Sequence, residues 1–195
     1  ATLSKEPLDV SALYEVCGHA SAGAVSSFLG TTRADPINTP HGSRTVVALE
    51  YEAYEEMADK TMQELCVEAR AQWPSLVHVV VMHRLGSVPV MQPSVFIGTS
   101  SPHRAAALAA TAWLIDAVKA RVPVWKRERY QDATGAPQWG QWIECKDCTH
   151  SPGGLHSSVP AANAPPKSSA SVDNAAVASK SSVAPSREDN TELKS

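Results

Sequence analysis

The chain has 195 residues, of which 43% are hydrophobic and 19% charged, and its formal net charge at pH 7 is −3. This composition is typical of a globular protein and excludes a chain that is disordered along its whole length. A general nucleic-acid-binding protein is normally basic, so the slight acidity argues against that class. The sequence shows neither a signal-peptide pattern nor an apolar run of the ~20 residues that a membrane span needs. We therefore expect a cytosolic protein.

The composition changes sharply near residue 150. Residues 151–195 contain 11 Ser, 8 Ala and 5 Pro but no Phe, Trp or Tyr. Such a segment cannot bury enough apolar surface to offset its chain entropy. We expect a disordered tail over residues 151–195, a flexible N-terminus over residues 1–9, and one folded domain over residues 10–150.

The first half of this domain predicts two helices and two strands, separated by a long loop. Residues 11–20 are typical of a short helix, and residues 23–30 of a strand bounded by glycines. Residues 31–43 contain Asp, Asn, Gly and two prolines, which predicts a loop long enough to be mobile and functional. A strand follows over residues 45–51. Apolar side chains at three- and four-residue steps then predict an amphipathic helix over residues 55–73.

The second half predicts further strands around one long, alanine-rich helix. The strands cover residues 77–83, 94–99, 124–129 and 138–145, and the helix ends before Pro123, which cannot continue it. Strands and helices do not alternate regularly. This indicates the α+β class, with a mixed or antiparallel sheet packed against helices.

The start of the long helix is a candidate anion site. Ser101 suits the N-cap and Pro102 the first helical position, and His103 and Arg104 follow. Free backbone N–H groups and the helix dipole favour an anion here, whereas positive side chains are unfavourable for the helix alone. A bound phosphate would account for both features. The alternative is a solvated arginine and a packed histidine.

Lys119 lies near the other end of this helix, four residues after Ile115 on a stripe with Leu108 and Ala112. A lysine beside a buried face has a lowered pKa, which makes it a better nucleophile or base. The alternative is a lysine whose stem packs on apolar surface while its amine reaches solvent. From this residue alone, the alternative is favoured.

A basic segment follows the helix. In an alternating strand, Lys126 and Glu128 share one face, and Arg127 and Arg129 share the other. One face therefore offers a lysine beside a carboxylate. The alternatives are a solvated basic edge strand and a small nucleic-acid patch.

Three further positions are less specific. Arg33 opens the long loop and is either a phosphate ligand or an ordinary loop arginine. His83 ends a predicted strand, and we expect a structural role in which the backbone satisfies its ring. Cys145 and Cys148 form a C-x-x-C pair, but a zinc site needs two more ligands, so we expect two reduced cysteines.

Taken together, the sequence resembles the large, catalytic subunit of molybdopterin synthase over roughly residues 10–147. The most specific block is Lys-x-x-x-Pro-x-Trp-Lys-x-Glu, which begins at Lys119. The other matching pieces, in chain order, are Gly23-Ala24-Val25 through Gly30-Thr31-Thr32-Arg33, Leu49-Glu50-Tyr51-Glu52-Ala53-Tyr54, His83-Arg84-Leu85-Gly86, Ser100-Ser101-Pro102-His103-Arg104 and Trp142-Ile143-Glu144.

The resemblance implies a hammerhead-type α+β fold and a sulfurtransferase that converts cyclic pyranopterin monophosphate to molybdopterin. Sulfur arrives as a thiocarboxylate on the C-terminal Gly-Gly of a small ubiquitin-like subunit, and the step uses no metal and no cofactor. By position, Lys119 and Lys126 would be catalytic. The expected substrate-binding residues are Thr31, Thr32, Arg33, His103, Arg104, Lys119, Lys126, Arg127 and Glu128. The alternative is a non-catalytic docking partner of a ubiquitin-like sulfur carrier.

Helix length adds one expectation about assembly. His103 and Lys119 lie 16 residues apart on one helix, which corresponds to roughly 24 Å, so they cannot share a small pocket of one chain. We expect a homodimer in which His103 and Arg104 of one chain complete the site of the other, within a heterotetramer. Two departures from the family pattern are Met91-Gln92-Pro93, where a Gly-acidic turn is usual, and Lys146, where an arginine is common.

Overall fold

The computed structural model describes residues 1–39, 42–131 and 135–145. The predicted tail over residues 151–195 lies outside them, as do Lys146 and Cys148. The elements formed by the described residues are β1 (Thr2–Ser4), α1 (Val10–Cys17), β2 (Ala24–Thr31), β3 (Pro36–Thr39), β4 (Gly42–Ala53), α2 (Glu55–Gln72), β5 (His78–Arg84), β6 (Gly86–Pro89), β7 (Pro93–Ser101), α3 (Arg104–Arg121), β8 (Val124–Gln131), β9 (Pro137–Trp139) and β10 (Ile143–Glu144).

Four strands form one sheet in the order β1-β5-β7-β2, with β1 parallel to β5 and the other pairs antiparallel. The sequence did not predict β1, because the first nine residues were expected to be flexible. Backbone and side-chain bonds hold this strand in place: Leu3 N donates to Asp59 Oδ1 at 3.0 Å, and Leu85 N donates to Ser4 O at 2.8 Å.

The second sheet is built around the long strand β4 and its antiparallel partner β8. One edge of β4 carries β3 and then β6, and the far edge of β8 carries β9 and β10. The expectation of a loop over residues 31–43 was wrong for the segment Pro36–Thr39, which is β3. Because β3 is an edge strand, its proline costs no ladder hydrogen bond.

The core lies between α2, α3 and one face of the four-stranded sheet, and α1 covers the other face. Strand alternation produces this division, since successive side chains point to opposite faces. Ile97 packs with Leu65 and Leu114 on the α2–α3 side, whereas Phe96 packs with Leu8 on the α1 side. The arrangement confirms the predicted α+β class with mixed and antiparallel sheets packed against helices.

The buried face of α3 differs from the predicted stripe. Leu108 is 58% exposed, and the residues that face the core include Ala107, Ala110 and Leu114. The buried face combines small alanines with Leu114, Ile115 and Val118, so Ile115 of the predicted stripe is buried whereas Leu108 is not. Neither α3 nor any other helix in the described part of the chain is long and apolar enough to cross a membrane.

The start of α3 also differs from the prediction. The N-cap is His103, which makes no side-chain capping bond, and the expected cap Ser101 is the last residue of β7. Ser101 still pairs with Ala24 in the β2–β7 ladder. The ladder therefore extends two residues beyond the predicted end of the strand, and α3 begins only at Arg104.

Candidate active site

A cavity of about 270 Å³ lies where the last turn of α3, the end of β2 and the β4–β8 pair meet. This volume is near the lower end of the range for small-molecule sites. Its apolar wall is formed by Phe28, Val46, Leu49, Val95, Ile115, Val118, Val122 and Val124. Its other side chains are Thr31, Arg33, Asp35, Tyr51, His83, Ser94, Lys119, Lys126, Glu128 and Cys145.

Lys119 enters this cavity from the last turn of α3. Its side chain is half-buried, and Ile115 and Val118 on the same helix face form part of the apolar wall. Within the described residues, no hydrogen bond or ion pair holds its amine. The placement fits the expectation of a lysine beside the buried face. Only two residues separate the end of α3 at Arg121 from the start of β8 at Val124. This short connection brings Lys126 back to the same cavity.

Lys126 and Glu128 line the cavity from β8, where they pair in register with Tyr51 and Leu49 of β4. The predicted alternation of β8 is confirmed. Glu128 Oε2 accepts a hydrogen bond of 2.5 Å from the hydroxyl of Tyr130. Burial, together with the bond to Glu128 and its charge, raises the pKa of Tyr130 to about 12. The phenol therefore stays protonated and donates to this carboxylate at neutral pH.

Arg33 and Asp35 lie at the cavity just after β2. Arg33 Nη2 lies 2.8 Å from Asp35 Oδ2, and the two side chains are 76% and 50% exposed. An exposed ion pair of this kind contributes no more than about 1 kcal/mol. A bound anion can therefore compete with Asp35 for the guanidinium. Thr31, at the end of β2, also lines the cavity.

Four of the expected site residues do not line this cavity, and two of these, Thr32 and Arg127, make contacts elsewhere in the chain. Thr32 is buried, donates its hydroxyl to Val88 O at 3.1 Å, and exchanges backbone bonds with the turn that contains Met91. Arg127 lies on the opposite face of β8 from Lys126, because alternate strand residues point to opposite sides. Its guanidinium carbon stacks 4.2 Å and 4.6 Å from the ring centres of Trp139 and Trp142.

His103 and Arg104 are exposed at the N-terminal end of α3, and neither lines the cavity of the same chain. The helix is continuous from Arg104 to Arg121. Its length keeps His103 roughly 24 Å from Lys119 along the axis, as the sequence spacing predicts.

The sequence did not identify several cavity residues as members of the site, among them Tyr51, His83 and Ser94. Tyr51 donates to Ser94 Oγ at 3.2 Å, and Ser94 donates to Gly30 O at 3.3 Å. His83 Nδ1 lies 2.9 Å from Arg84 O, as its expected structural role requires, and burial lowers its pKa to about 4. One signal was present in the sequence: Tyr51 and His83 both fall in segments that match the family pattern.

The arrangement combines an apolar wall with three cationic side chains, Arg33, Lys119 and Lys126, and the carboxylate of Glu128. Cations around a partly dehydrated cavity attract an anionic ligand, since electrostatic attraction strengthens as water is excluded. An amine held against an apolar wall suits acyl chemistry, and an adjacent carboxylate suits proton transfer.

Comparisons with known proteins identify relatives of this chain. The family model described as MoaE protein matches residues 3–121. A relative from Aedes aegypti, named molybdopterin synthase catalytic subunit 1, is 47% identical over 143 residues, which are 73% of this chain and 89% of that protein.

Two solved structures share the fold. Molybdopterin synthase from Staphylococcus aureus has a TM-score of 0.62 and 30% identity, over 72% of this chain and 96% of that one. A complex of subunits 1 and 2 of molybdopterin-converting factor from Helicobacter pylori has a TM-score of 0.55 over 76% of this chain and 92% of that one, and at 20% identity it shows the fold alone. The resemblance to molybdopterin synthase catalytic subunits is therefore confirmed, and the chain belongs to the MoaE family.

Proposed function

We propose that this chain is the catalytic subunit of a molybdopterin synthase and that its cavity is the site of sulfur transfer. The substrate would be cyclic pyranopterin monophosphate, and the sulfur donor the thiocarboxylated C-terminus of a small ubiquitin-like subunit. The observation that carries the proposal is that charged side chains from distant parts of the chain meet in one cavity. Arg33, Lys119, Lys126 and Glu128 come from three separate segments of the chain and line one cavity.

Each cavity residue has a role in this proposal. Lys119, on the apolar wall, meets the thiocarboxylate carbonyl. Once the sulfur has bonded to the pterin, the Lys119 amine can take the acyl group as an amide: the N–C bond forms, the C–S bond breaks, and the sulfur stays on the pterin as a thiol. Lys126 beside Glu128 assists proton transfer or balances charge, and Tyr130 keeps the Glu128 carboxylate in place. Arg33 binds the phosphate of the pterin, which replaces Asp35 as the partner of the guanidinium.

The site also requires two kinds of partner chain. His103 and Arg104 would reach the phosphate from a second copy of this chain, because they lie too far from the cavity of their own chain. The Aedes aegypti and Culex quinquefasciatus relatives are named catalytic subunits, which supports a second, small subunit as the sulfur donor here and, with the homodimer, a heterotetramer. We propose a cytosolic location as well, on the free thiols of Cys17 and Cys66.

The test is an assay of the purified chain with thiocarboxylated small subunit and cyclic pyranopterin monophosphate, with the dithiolene product measured after oxidation to its fluorescent form. We expect Lys119→Ala to lower the rate at least ~100-fold while it still binds the small subunit. The matched control is Lys60→Ala, which removes an exposed lysine of α2 outside the cavity and should leave the rate unchanged.

The outcomes separate the two functional hypotheses. Product from wild type and from Lys60→Ala but little from Lys119→Ala supports the enzyme and its lysine. An unchanged rate for Lys119→Ala would contradict the assigned role of that residue. Absence of product from wild type, with the small subunit bound, would favour the non-catalytic docking partner instead.

A further inference from the structure

His83 has a fixed hydrogen-bonding character. The side chain is 6% exposed at the end of β5, and it lines the cavity. Its Nδ1 lies 2.9 Å from the carbonyl oxygen of Arg84. A carbonyl only accepts hydrogen bonds, so Nδ1 carries the hydrogen. In a neutral imidazole the other nitrogen, Nε2, is then a bare acceptor.

The surroundings hold the ring in this state. Burial lowers the pKa of His83 to about 4, so the imidazole is neutral at physiological pH. The ring of Tyr51 packs edge-on against it, with 5.0 Å between ring centroids and an interplanar angle of 73°. Tyr51 directs its own hydroxyl hydrogen to Ser94. His83 thus presents an acceptor whose tautomer and ring position are both fixed.

Nothing in the described part of the chain donates a hydrogen bond to this acceptor. Within the described residues, the bond from Nδ1 to Arg84 is the one hydrogen bond that His83 makes. Among the described residues, the buried side-chain nitrogens without a partner are those of Arg44, Arg84 and Arg127, so Nε2 of His83 keeps contact with the solvent of the cavity. Since His83 lines the cavity, a molecule bound there can supply the missing donor.

We propose that His83 is a substrate-binding residue whose Nε2 accepts a hydrogen bond from a ring N–H of the bound pterin. This inference rests on the proposed function. It assigns the pterin ring of the substrate to His83 and the anionic end to the cationic side chains. Arg33, Lys119 and Lys126 attract anionic groups, whereas a bare acceptor does not bind an anion and pairs with a group that donates a hydrogen. A pterin ring carries N–H donors in its plane, which suits an acceptor set in an apolar wall.

The test uses two variants that divide the functions of the two ring nitrogens. The amide of His83→Asn can reach the position of Nδ1 and keep the bond to Arg84, but it leaves nothing at Nε2. The longer His83→Gln can place its oxygen at the position of Nε2. We expect His83→Asn to raise the Kd and KM for cyclic pyranopterin monophosphate about tenfold, with a smaller effect on kcat. We expect His83→Gln to recover most of the affinity.

Several outcomes would overturn this inference while the proposed function stands. One is an active His83→Asn enzyme with wild-type Kd and KM. Another is weaker binding of the unmodified small subunit with unchanged pterin affinity, which would mean that a peptide N–H is the donor. A third is a loss of pterin affinity in His83→Gln that His83→Asn does not show, which a merely structural histidine predicts because only asparagine keeps the bond to Arg84. Absence of any turnover by wild type would instead count against the proposed function.

A measurement on the wild-type protein covers the case in which neither variant folds. The ¹⁵N resonance of His83 Nε2 should shift when the pterin substrate is added, because an accepted hydrogen bond changes the shielding of that nitrogen. Inorganic phosphate, used as a control for the anionic end, should leave it unchanged. An unchanged ¹⁵N chemical shift of Nε2 at a saturating concentration of the pterin substrate would contradict the proposed contact.

Discussion

The surroundings of a single side chain decide its chemistry, and His83 illustrates this in the cavity. Exposed on a strand, the same residue would titrate near neutral pH and carry a charge part of the time. Enclosed beside Tyr51, it is neutral and has one defined acceptor. The neighbouring Arg33 is in the opposite situation, because it is exposed and paired with Asp35. The two residues suit the uncharged and the charged ends of one ligand.

Burial of His83 also predicts how stability depends on pH. A histidine in the unfolded chain titrates near pH 6.5, and burial lowers the pKa of folded His83 to about 4. Between these two pKa values the unfolded state binds a proton that the folded state does not bind. The free energy of unfolding therefore falls as the pH decreases through 6.5, and the loss levels off near pH 4. We expect this group to contribute a loss of roughly 2–3 kcal/mol between pH 7 and pH 4.5.

Urea unfolding of wild type and His83→Asn at both pH values measures this loss. Other groups titrate in both proteins, so the difference between the two isolates the histidine. Equal losses in wild type and variant would show that His83 protonates as easily in the folded as in the unfolded state.

At the scale of elements, the turn between β6 and β7 holds a strained residue. Met91 has φ 68°, in the left-handed region that favours glycine, and is 85% exposed. The backbone cannot relax, because Met91 N donates to Thr32 O at 2.9 Å and Thr32 N donates to Gln92 O at 3.1 Å. We expect Met91→Gly to raise the free energy of unfolding by roughly 0.5–1 kcal/mol, since relief of strain exceeds the added freedom of the unfolded chain.

Met91→Ala is the matched control. It removes the same exposed side-chain atoms beyond Cβ but keeps the Cβ that causes the strain, so its stability should equal that of wild type. Chemical denaturation of the three proteins gives the comparison. A gain of the same size in both variants would assign the effect to the exposed methionine side chain and not to the backbone.

The elements also show what the sequence could predict. The alternation of Lys126 and Glu128 against Arg127 is a local property of a strand, and the structure confirms it. The predicted apolar stripe of α3 was wrong at Leu108 and Ala112, which are exposed, and right at Ile115, which is buried. The buried face of α3 depends on how closely the sheet approaches, which no local pattern contains.

Residues that meet through long-range pairing were the hardest to predict. Tyr51 joins the cavity because β4 pairs in register with β8, and His83 because β5 lies beside β7. Strand register between distant segments follows from the complete fold. Thr32 was assigned to the site from its neighbours in the family pattern, but its hydroxyl turns inward to Val88.

At the scale of the whole molecule, β2 links the two halves of the proposed site. It is an edge strand of the four-stranded sheet, and within the described residues no strand pairs with its outer edge. Its sequence AVSSFLGT has no charge and no proline, so nothing on it discourages pairing with another strand. Antiparallel pairing of two copies would bring the end near Ala24 and Ser101 of one chain towards the end near Thr31 of the other.

This geometry predicts complementation between inactive variants. We expect Lys119→Ala and Arg104→Ala each to be nearly inactive alone, because each dimer then lacks one component at both sites. After subunit exchange, a mixed dimer has one intact site, so an equal mixture should regain about a quarter of wild-type activity. The measurement is the product assay before and after exchange. No recovery from a mixture proved to contain mixed dimers would contradict the shared site.

The stack of Arg127 with Trp139 and Trp142 lies on the side of β8 away from the cavity, yet it has a consequence for catalysis. A slip of β8 by one residue against β4 would turn every side chain to the other face. Lys126 and Glu128 would then leave the cavity, and two arginines would enter it. The aromatic stack ties Arg127 of β8 to Trp139 of β9, and Gln138 of β9 accepts a hydrogen bond of 3.0 Å from Arg44 of β4. A slip of β8 against β4 would break this indirect link, so contacts on the far side of the sheet help to keep the catalytic residues in register.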